Sequence, residues 1–241
     1  MKVFVRSDIG RVRPINEDSF YLPAEGEQFC AIADGMGGHN AGEVASDLAV
    51  RIFAEEMRTC MVLSGVNMRR AVESANTSVY MESKREARYS GMGTTFTAIA
   101  QSGKDLHIAH VGDSRAYLIR HDAIMRLTID HTLVEEMVMQ GLITPRAAKY
   151  HPKRNYITRA LGTANRVEVD LIQIELMPGD VLFLCTDGLS NYVEEKRILE
   201  ITRGDGTWQE KIDAAVDAAL TAGSTDNVTG MFVVFEEETH Q

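Results

Sequence analysis

Short apolar runs separated by turn-rich links recur through much of the chain. Alternation of apolar and polar residues, or a short unbroken apolar run, is typical of β-strands. This pattern predicts strands at residues 2–6, 19–22, 29–33, 94–101, 106–111, 116–120, 167–176, 181–186 and 228–236. The links at 101–105 and 120–123 are short and rich in turn-forming residues. We therefore expect most neighbouring strands to pair as antiparallel hairpins.

Helical periodicity occupies the segments between these groups of strands. It predicts helices at residues 41–60, 67–88, 132–140, 145–150, 194–202 and 207–222. In the first of these, apolar residues recur on one face, as expected of a helix that packs on a sheet: Val44, Leu48, Ile52, Phe53 and Met57. Because strands cluster in groups and long helices come in adjacent pairs, the predicted fold class is α+β, with helices outside antiparallel sheets.

One segment, residues 130–162, interrupts the strand series. It mixes short helical patterns with polar residues, which predicts a mobile insertion placed to cover a site. The chain has no internal repeat, no low-complexity stretch and no linker rich in proline or serine. We therefore expect one continuous domain over residues 1–241.

Charge and composition exclude several classes of protein. The 25 Lys and Arg residues against 35 Asp and Glu give a net charge of −10, which disfavours general binding to nucleic acid or an anionic membrane. No apolar run approaches the roughly 20 residues of a membrane span, so no membrane insertion and a cytoplasmic location are expected. The spacing of Cys30, Cys60 and Cys185 does not suit zinc and predicts reduced, mostly buried thiols.

Four apolar runs stop at, or start from, an aspartate beside glycine or asparagine. These residues are Asp34, Asp113, Asp187 and Asp226. A buried carboxylate without a partner is costly, so converging carboxylates indicate a site for a hard cation such as Mg(II) or Mn(II). Asp34 and Asp187 would meet if their strands were neighbours in one sheet. The alternatives are ordinary Asp-Gly turns and a structural calcium site.

The loop before the second predicted strand carries a basic pair followed by an acidic pair. The guanidinium group of Arg13 has the planar geometry that matches phosphate oxygens, and Glu17 and Asp18 could orient metal-bound water. The alternative is a loop with a surface salt bridge.

Taken together and in chain order, these motifs resemble the metal-dependent protein phosphatase family (protein phosphatase type 2C) in its compact bacterial form. The matching segments are residues 13–18, 34–39 with 41–42, 91–95, 110–115, 130–132, 185–189 and 226–229. The resemblance runs nearly end to end. It implies a central sandwich of two antiparallel sheets flanked by helices, a four-layer αββα arrangement, with a metal centre in a cleft at one end.

The resemblance also implies a role for each candidate residue. Asp34 would bridge two ions, Asp187 and Asp226 would bind the first ion, and the Gly35 carbonyl would bind the second. Glu17 and Asp18 would act through metal-bound water. Asp113, with Asp187, would hold a third and weaker ion, although an Asx turn is an equally simple explanation of Asp113.

Two further residues are assigned to the reaction. The resemblance implies that Arg13 binds the substrate phosphate. The chain departs from eukaryotic members of the family by having Met36 where they carry a histidine directly after Asp-Gly, so His39 is the candidate proton donor, with a hydrogen-bonded structural histidine as the alternative. His110 is predicted to be structural. His131 and His151 lie in or beside the insertion, and are expected either to touch substrate or to be exposed without a role.

The implied activity is hydrolysis of phosphoserine and phosphothreonine in proteins, dependent on two Mn(II) or Mg(II) ions. Water or hydroxide shared by the ions would attack phosphorus directly. The alternative is a non-catalytic module of the same fold that binds phosphorylated proteins. The expected partners are a serine/threonine kinase and its substrates, and the expected state is a monomer because no heptad pattern is present. Lys149, Lys153 and Arg154 of the insertion would attract acidic phosphopeptides.

Overall fold

Two antiparallel β-sheets face each other in the computed structural model, which describes residues 1–37 and 41–235. The strands are β1 (Lys2–Asp8), β2 (Asp18–Tyr21), β3 (Phe29–Met36), β4 (Gly93–Thr94), β5 (Phe96–Ser102), β6 (Asp105–Val111), β7 (Arg115–Arg120), β8 (Ala123–Arg126), β9 (Asp170–Glu175), β10 (Val181–Cys185) and β11 (Val228–Val234). One sheet has the order β1-β11-β10-β7-β8. The other has the order β2-β3-β5-β6-β9, with β4 paired to β3.

Helices cover the outer face of each sheet. They are α1 (Gly42–Arg58), α2 (Gly65–Arg85), α3 (Leu133–Met139), α4 (Pro145–Ala148), α5 (Asp187–Ser190), α6 (Glu195–Arg203) and α7 (Trp208–Thr221), and a short 3-10 helix spans Ala87–Tyr89. Helices α1 and α2 pack on the six-stranded sheet, and α6 and α7 on the five-stranded one. No helix among the described residues is both long and apolar enough to cross a lipid bilayer.

Three apolar layers hold the four structural layers together. Strand β3 shows how: Cys30 and Ile32 enter the layer between the sheets, while Phe29, Ala31 and Ala33 face α1 and α2. Strand β10 divides its residues in the same way between the inner layer and α7. Strands buried on both faces read as unbroken apolar runs, which is why the sequence pattern locates them. The predicted α+β sandwich with flanking helices is confirmed.

Several predicted boundaries differ from the structure. The predicted strand 94–101 is two strands, Gly93–Thr94 and Phe96–Ser102, which both pair with β3, and Thr95 between them accepts from Asp34 N–H. Strand β8 and helix α5 were not predicted: β8 is only partly buried, and α5 is a single turn. The predicted strand at 167–176 is shorter, Asp170–Glu175, and residue 236 of the last predicted strand lies outside the described residues.

The segment 130–162 lies between β8 and β9 and contains α3 and α4. At its first end, Asp130 forms an ion pair with Arg115 at 2.6 Å, and His131 N–H donates to Gly112 O at 2.8 Å. At its last end, Leu161 pairs with Thr94. His131 is buried rather than exposed, because its Nδ1 accepts a hydrogen bond from Gly112 N–H at 2.9 Å. This histidine fastens the segment to the sheet, which corrects the expectation of an exposed side chain.

Candidate functional site

Strand pairing brings the first two candidate carboxylates together. Asp18 lies opposite Asp34 where β2 pairs with β3. The backbone of Asp34 is fixed from the other side: its N–H donates to Thr95 Oγ1 at 2.9 Å, and its carbonyl accepts from Thr94 Oγ1 at 2.9 Å. The two threonines therefore set the position from which the Asp34 side chain leaves the sheet.

Asp113 lies in the connection from β6 of the same sheet to β7 of the opposite sheet, and the other two aspartates come from the opposite sheet. Asp187 follows β10 as the first residue of α5, and Asp226 lies just before β11. The expectation that Asp34 and Asp187 lie on neighbouring strands of one sheet is therefore wrong. The charge of Asp187 nevertheless acts on Asp34 and raises its pKa, because the ends of the two sheets meet at this edge. The site is thus assembled between the sheets.

Burial and mutual repulsion raise the pKa values of these carboxyl groups. Burial, with the charge of Asp18 next in importance, raises the pKa of Asp34 well above its usual range. Burial also raises the pKa of Asp18 to about 7, that of Asp113 to about 8 and that of Asp187 to about 6. Neighbouring aspartate charges add to each shift, so the cluster holds more negative charge than its own environment stabilises.

Two carboxylate oxygens in this cluster are buried without a hydrogen-bond partner among the described residues: Asp18 Oδ1 and Asp113 Oδ1. Such atoms are rare because burying them unpaired is costly. Unpaired carboxylate oxygens inside an acidic cluster fit hard divalent cations. Within residues 1–37 and 41–235, however, no group of three or more His, Cys, Asp or Glu side chains has the geometry of a preformed ion cage. The donor set fits the cations, and the side chains must adjust to bind them.

Gly35 allows the close approach that the site requires. A Cβ atom at Gly35 would lie 2.1 Å from the carbonyl oxygen of Gly42, and one at Gly42 would lie 2.4 Å from Glu17 Oε1. Glu17 is buried beside these glycines, its carbonyl accepts from Gly35 N–H at 3.0 Å, and its pKa is raised chiefly by burial. The absence of side chains at Gly35 and Gly42 thus seats Glu17 against β3 and the start of α1.

Arg13 lies over the acidic cluster. Its Nη2 donates to Asp226 Oδ2 at 2.8 Å, its Nη1 lies 3.5 Å from Glu17 Oε2, and 43% of its side chain is exposed. The pKa of Arg13 is raised, mainly by the hydrogen bond to Asp226. The salt bridge considered as an alternative is present. It also holds an accessible guanidinium group beside the carboxylates, where an incoming phosphate would need a cationic partner.

Asn227 was part of a recognised motif but received no role from the sequence. Its Nδ2 donates to the carbonyls of Ile9 and Ile15 at 2.9 Å each, and its Oδ1 accepts from Glu17 N–H at 2.8 Å. These three bonds tie the loop that carries Arg13 to the start of β11. The position of Asn227 directly beside Asp226 is the feature of the sequence that could have indicated this role, because an amide that is buried there must find hydrogen-bond partners.

Of the two histidines His39 and His110, the structure describes His110 alone. His39 lies outside the described residues, so its assignment as proton donor stays a prediction. His110 is fully buried, bonded to Thr97 Oγ1 at 2.9 Å and to the carbonyl of Ile129 at 3.1 Å, and burial lowers its pKa to about 4. The structural role predicted for His110 is confirmed.

The raised pKa values predict a pH-dependent stability for the protein in EDTA. An unfolded aspartate titrates at about 3.9, whereas folding moves the pKa of Asp18 to about 7 and that of Asp113 to about 8. Between the unfolded and folded values, the folded state holds more protons than the unfolded chain, so the free energy of unfolding falls as pH rises. The melting temperature in EDTA should therefore fall from about pH 5 to about pH 8.

The substitution Asp34→Asn tests the origin of this decline. It removes a carboxyl group whose pKa is raised and whose charge repels the others, so the variant should melt above the wild type at the upper end of that pH range and show a shallower decline. Asp205→Asn, at an exposed position, is the control and should follow the wild type. A wild-type melting temperature that rises over this range would show that the cluster is not repulsive.

Comparison with known proteins agrees with the geometry. The chain matches the protein phosphatase 2C family over residues 11–221. It is 36% identical over 235 residues to the serine/threonine phosphatase stp of Listeria monocytogenes, covering 95% of this chain and 93% of that protein. The crystal structure of the Mycobacterium tuberculosis serine/threonine phosphatase PstP superposes with a TM-score of 0.90 at 38% identity, covering 98% of this chain and 99% of that one.

A further crystal structure bears on the cation site. The catalytic domain of the serine/threonine protein phosphatase PstP in complex with two manganese ions matches with a TM-score of 0.86 at 38% identity, over 96% of both chains. The family match covers most of the chain, and the relatives share its whole fold. The chain therefore belongs to the protein phosphatase 2C family.

Proposed function

We propose that the carboxylates gathered around Asp34 form the catalytic centre of this chain, a metal-dependent serine/threonine protein phosphatase. Its substrates are phosphorylated proteins, and its cofactors are two Mn(II) or Mg(II) ions. The observation that carries the assignment of the centre is a pair of buried oxygens, one each from Asp18 and Asp113, that have no partner in the part of the chain that the structure describes and lie inside a self-repelling acidic cluster. When bound, the ions supply an activated water nucleophile and positive charge for the developing phosphorane.

The residue roles are those that the resemblance to the family implies, and the positions of the side chains support them. Asp34 would bridge the two ions, since it lies opposite Asp18 and is repelled by the charges of Asp187 and Asp226 from the other sheet. Asp187 and Asp226 would bind the first ion, and the Gly35 carbonyl would bind the second. Glu17 and Asp18 are buried beside β3 and act through ordered water. Asp113, whose Oδ1 has no partner among the described residues, holds a third and weaker ion together with Asp187.

Arg13 binds the phosphate of the substrate. Its present partners are two carboxylates, Asp226 and Glu17, so its guanidinium group already occupies a position that favours oxyanions. Two oxygens of a phosphate group can accept two N–H bonds from one guanidinium group, and the exposed side chain is accessible to them. The side chain thereby balances charge on the transferred group.

The non-catalytic alternative is not favoured, because every carboxylate that the centre needs is present and the cluster shows the expected electrostatic strain.

We propose that the chain functions as one catalytic domain and as a monomer, with residues 130–162 as a flap. Three free cysteines suit the reducing cytoplasm. Because phosphoserine and phosphothreonine arise by kinase action, the opposing partner is a serine/threonine kinase.

Metal dependence is the first test of this function. Hydrolysis of p-nitrophenyl phosphate and of a phosphothreonine peptide should require Mn(II) or Mg(II) and stop in EDTA. Asp34→Asn should lower the rate by more than about 100-fold, since even residues that merely orient metal ligands contribute about 10- to 100-fold. Asp205→Asn should stay active. Calcium that raises the melting temperature, in a protein that hydrolyses neither substrate with any cation, would favour a structural calcium site instead.

Asn227→Ala tests the fixing of the Arg13 loop. Loss of three buried hydrogen bonds should lower the free energy of unfolding by about 2–3 kcal/mol and raise KM for the phosphothreonine peptide about tenfold through misplacement of Arg13. If Asn227 acts through Arg13, the double variant Arg13→Ala/Asn227→Ala should have nearly the KM of Arg13→Ala alone. Fully additive losses would show that the two residues act independently.

The basic residues of the flap give a separate test. Lys153 and Arg154 are exposed on a chain with a net charge of −10. Replacing both by alanine should raise KM for an acidic phosphopeptide about three- to tenfold at low salt, and the difference should shrink at high salt. Turnover of p-nitrophenyl phosphate should not change. Lys196→Ala/Arg197→Ala, an exposed pair on α6, is the matched control. Unchanged kinetics at both salt concentrations would exclude steering by the flap.

A further inference from the structure

A chain of neutral side chains ends at Asp18. Asp18 Oδ2 accepts from Thr229 Oγ1 at 2.6 Å and from Thr186 Oγ1 at 3.0 Å. Behind Thr229, the Ser7 hydroxyl lies 2.8 Å from Thr229 Oγ1, and Asn16 Nδ2 donates to Ser7 Oγ at 2.8 Å. We call these four side chains, the amide of Asn16 and the hydroxyls of Ser7, Thr229 and Thr186, the relay.

The direction of each hydrogen bond in the relay follows from its two ends. When Asp18 is ionised, as the binding of cations favours, its oxygens only accept, so Thr229 must donate its proton to Asp18. The Ser7 hydroxyl must then donate to Thr229, and Ser7 Oγ is left free to accept from the Asn16 amide. All donors in this line therefore point toward Asp18, an arrangement in which each bond strengthens the next.

The relay leaves the two oxygens of Asp18 in different states. Oδ2 has two hydroxyl donors, whereas Oδ1 is buried and has no partner among the described residues. Thr186 and Thr229 are themselves fully buried, so neither hydroxyl can turn to solvent instead. Two bonds to one oxygen fix the rotation of the carboxylate and leave the other oxygen unengaged in a group on which the charges of Asp187 and Asp226 act.

The relay also joins the two sheets at the site. Asp18 begins β2 in the six-stranded sheet, while Thr229 lies in β11 and Ser7 lies opposite it in β1 of the five-stranded sheet. The position of Asp18 therefore depends on hydroxyl groups from the sheet that also carries Asp187 and Asp226.

We propose that Thr229, assisted by Thr186 and backed by Ser7 and Asn16, is a positioning residue that presents Asp18 Oδ1 to the water bound to the divalent ions. This inference rests on the proposed function of the acidic cluster. Thr229 touches neither the substrate nor the reacting atoms. It acts only through Asp18, by holding one carboxylate oxygen so that the other stays available.

Binding of Mn(II) to the full chain without substrate, measured by isothermal titration calorimetry, tests the proposal. Thr229→Val keeps the shape but removes the hydroxyl, and should weaken Mn(II) binding about 10- to 100-fold, the usual cost of losing a hydrogen-bonded group outside the metal's own ligands. Thr229→Ser restores the hydroxyl and should bind within about threefold of the wild type. Thr128→Val removes another buried hydroxyl, which accepts from Ala116 N–H at 3.1 Å away from Asp18, and should retain wild-type affinity.

The outcomes separate this proposal from the function on which it rests. Wild-type Mn(II) binding that Thr229→Val leaves unchanged overturns the positioning role alone. The same conclusion follows if Thr229→Ser loses as much affinity as Thr229→Val, because packing rather than the hydroxyl would then matter. A wild-type chain that binds no Mn(II) overturns both. If Thr229→Val does not fold, Ser7→Ala removes the donor behind Thr229 and should still weaken binding about threefold, and unchanged affinity there counts against the relay.

Discussion

Repulsion among buried carboxylates is the constraint on which the rest of the structure depends. Asp34 is surrounded by the charges of other aspartates, and burial deprives the group of the water that would screen them. Such an arrangement destabilises a folded chain unless protons or cations neutralise it. The protein therefore keeps a locally unfavourable cluster at one edge of an otherwise apolar sandwich. Divalent ions relieve this repulsion, so affinity for them and strain in their absence have the same physical origin.

The scaffold resists that repulsion by fixing each acidic residue from a different direction. Thr94 and Thr95 hold the backbone of Asp34, Asn227 holds the loop before β2, and the relay holds Asp18. The partners often belong to the opposite sheet. The apolar layer between the sheets thus does more than stabilise the fold, because it keeps the two halves of the site in register. A shift of one sheet against the other would separate the carboxylates.

Much of the fold could be predicted because β3 and β10 are buried on both faces and appear as unbroken apolar runs. The same property hides which sheet each strand joins, since a strand with two apolar faces carries no mark of its neighbours. That is why Asp34 and Asp187 were expected in one sheet. The two residues do lie in one acidic cluster, but they reach it from different sheets and not from neighbouring strands of one sheet. Short or half-exposed elements such as β8 and α5 have too weak a pattern to be recognised.

The charged side chains of the proposed site were recognised as candidates from the sequence, whereas the neutral side chains that hydrogen-bond to them were given no role. A carboxylate at the end of an apolar run stands out because it conflicts with its surroundings. Thr186 and Thr229 do not, since threonine is common in strands and its hydroxyl is small. Yet a buried hydroxyl must also find a partner, and a threonine within two residues of a strand-end aspartate or asparagine has few choices. Charged residues therefore locate this centre, while the neutral residues around them determine how its oxygens are oriented.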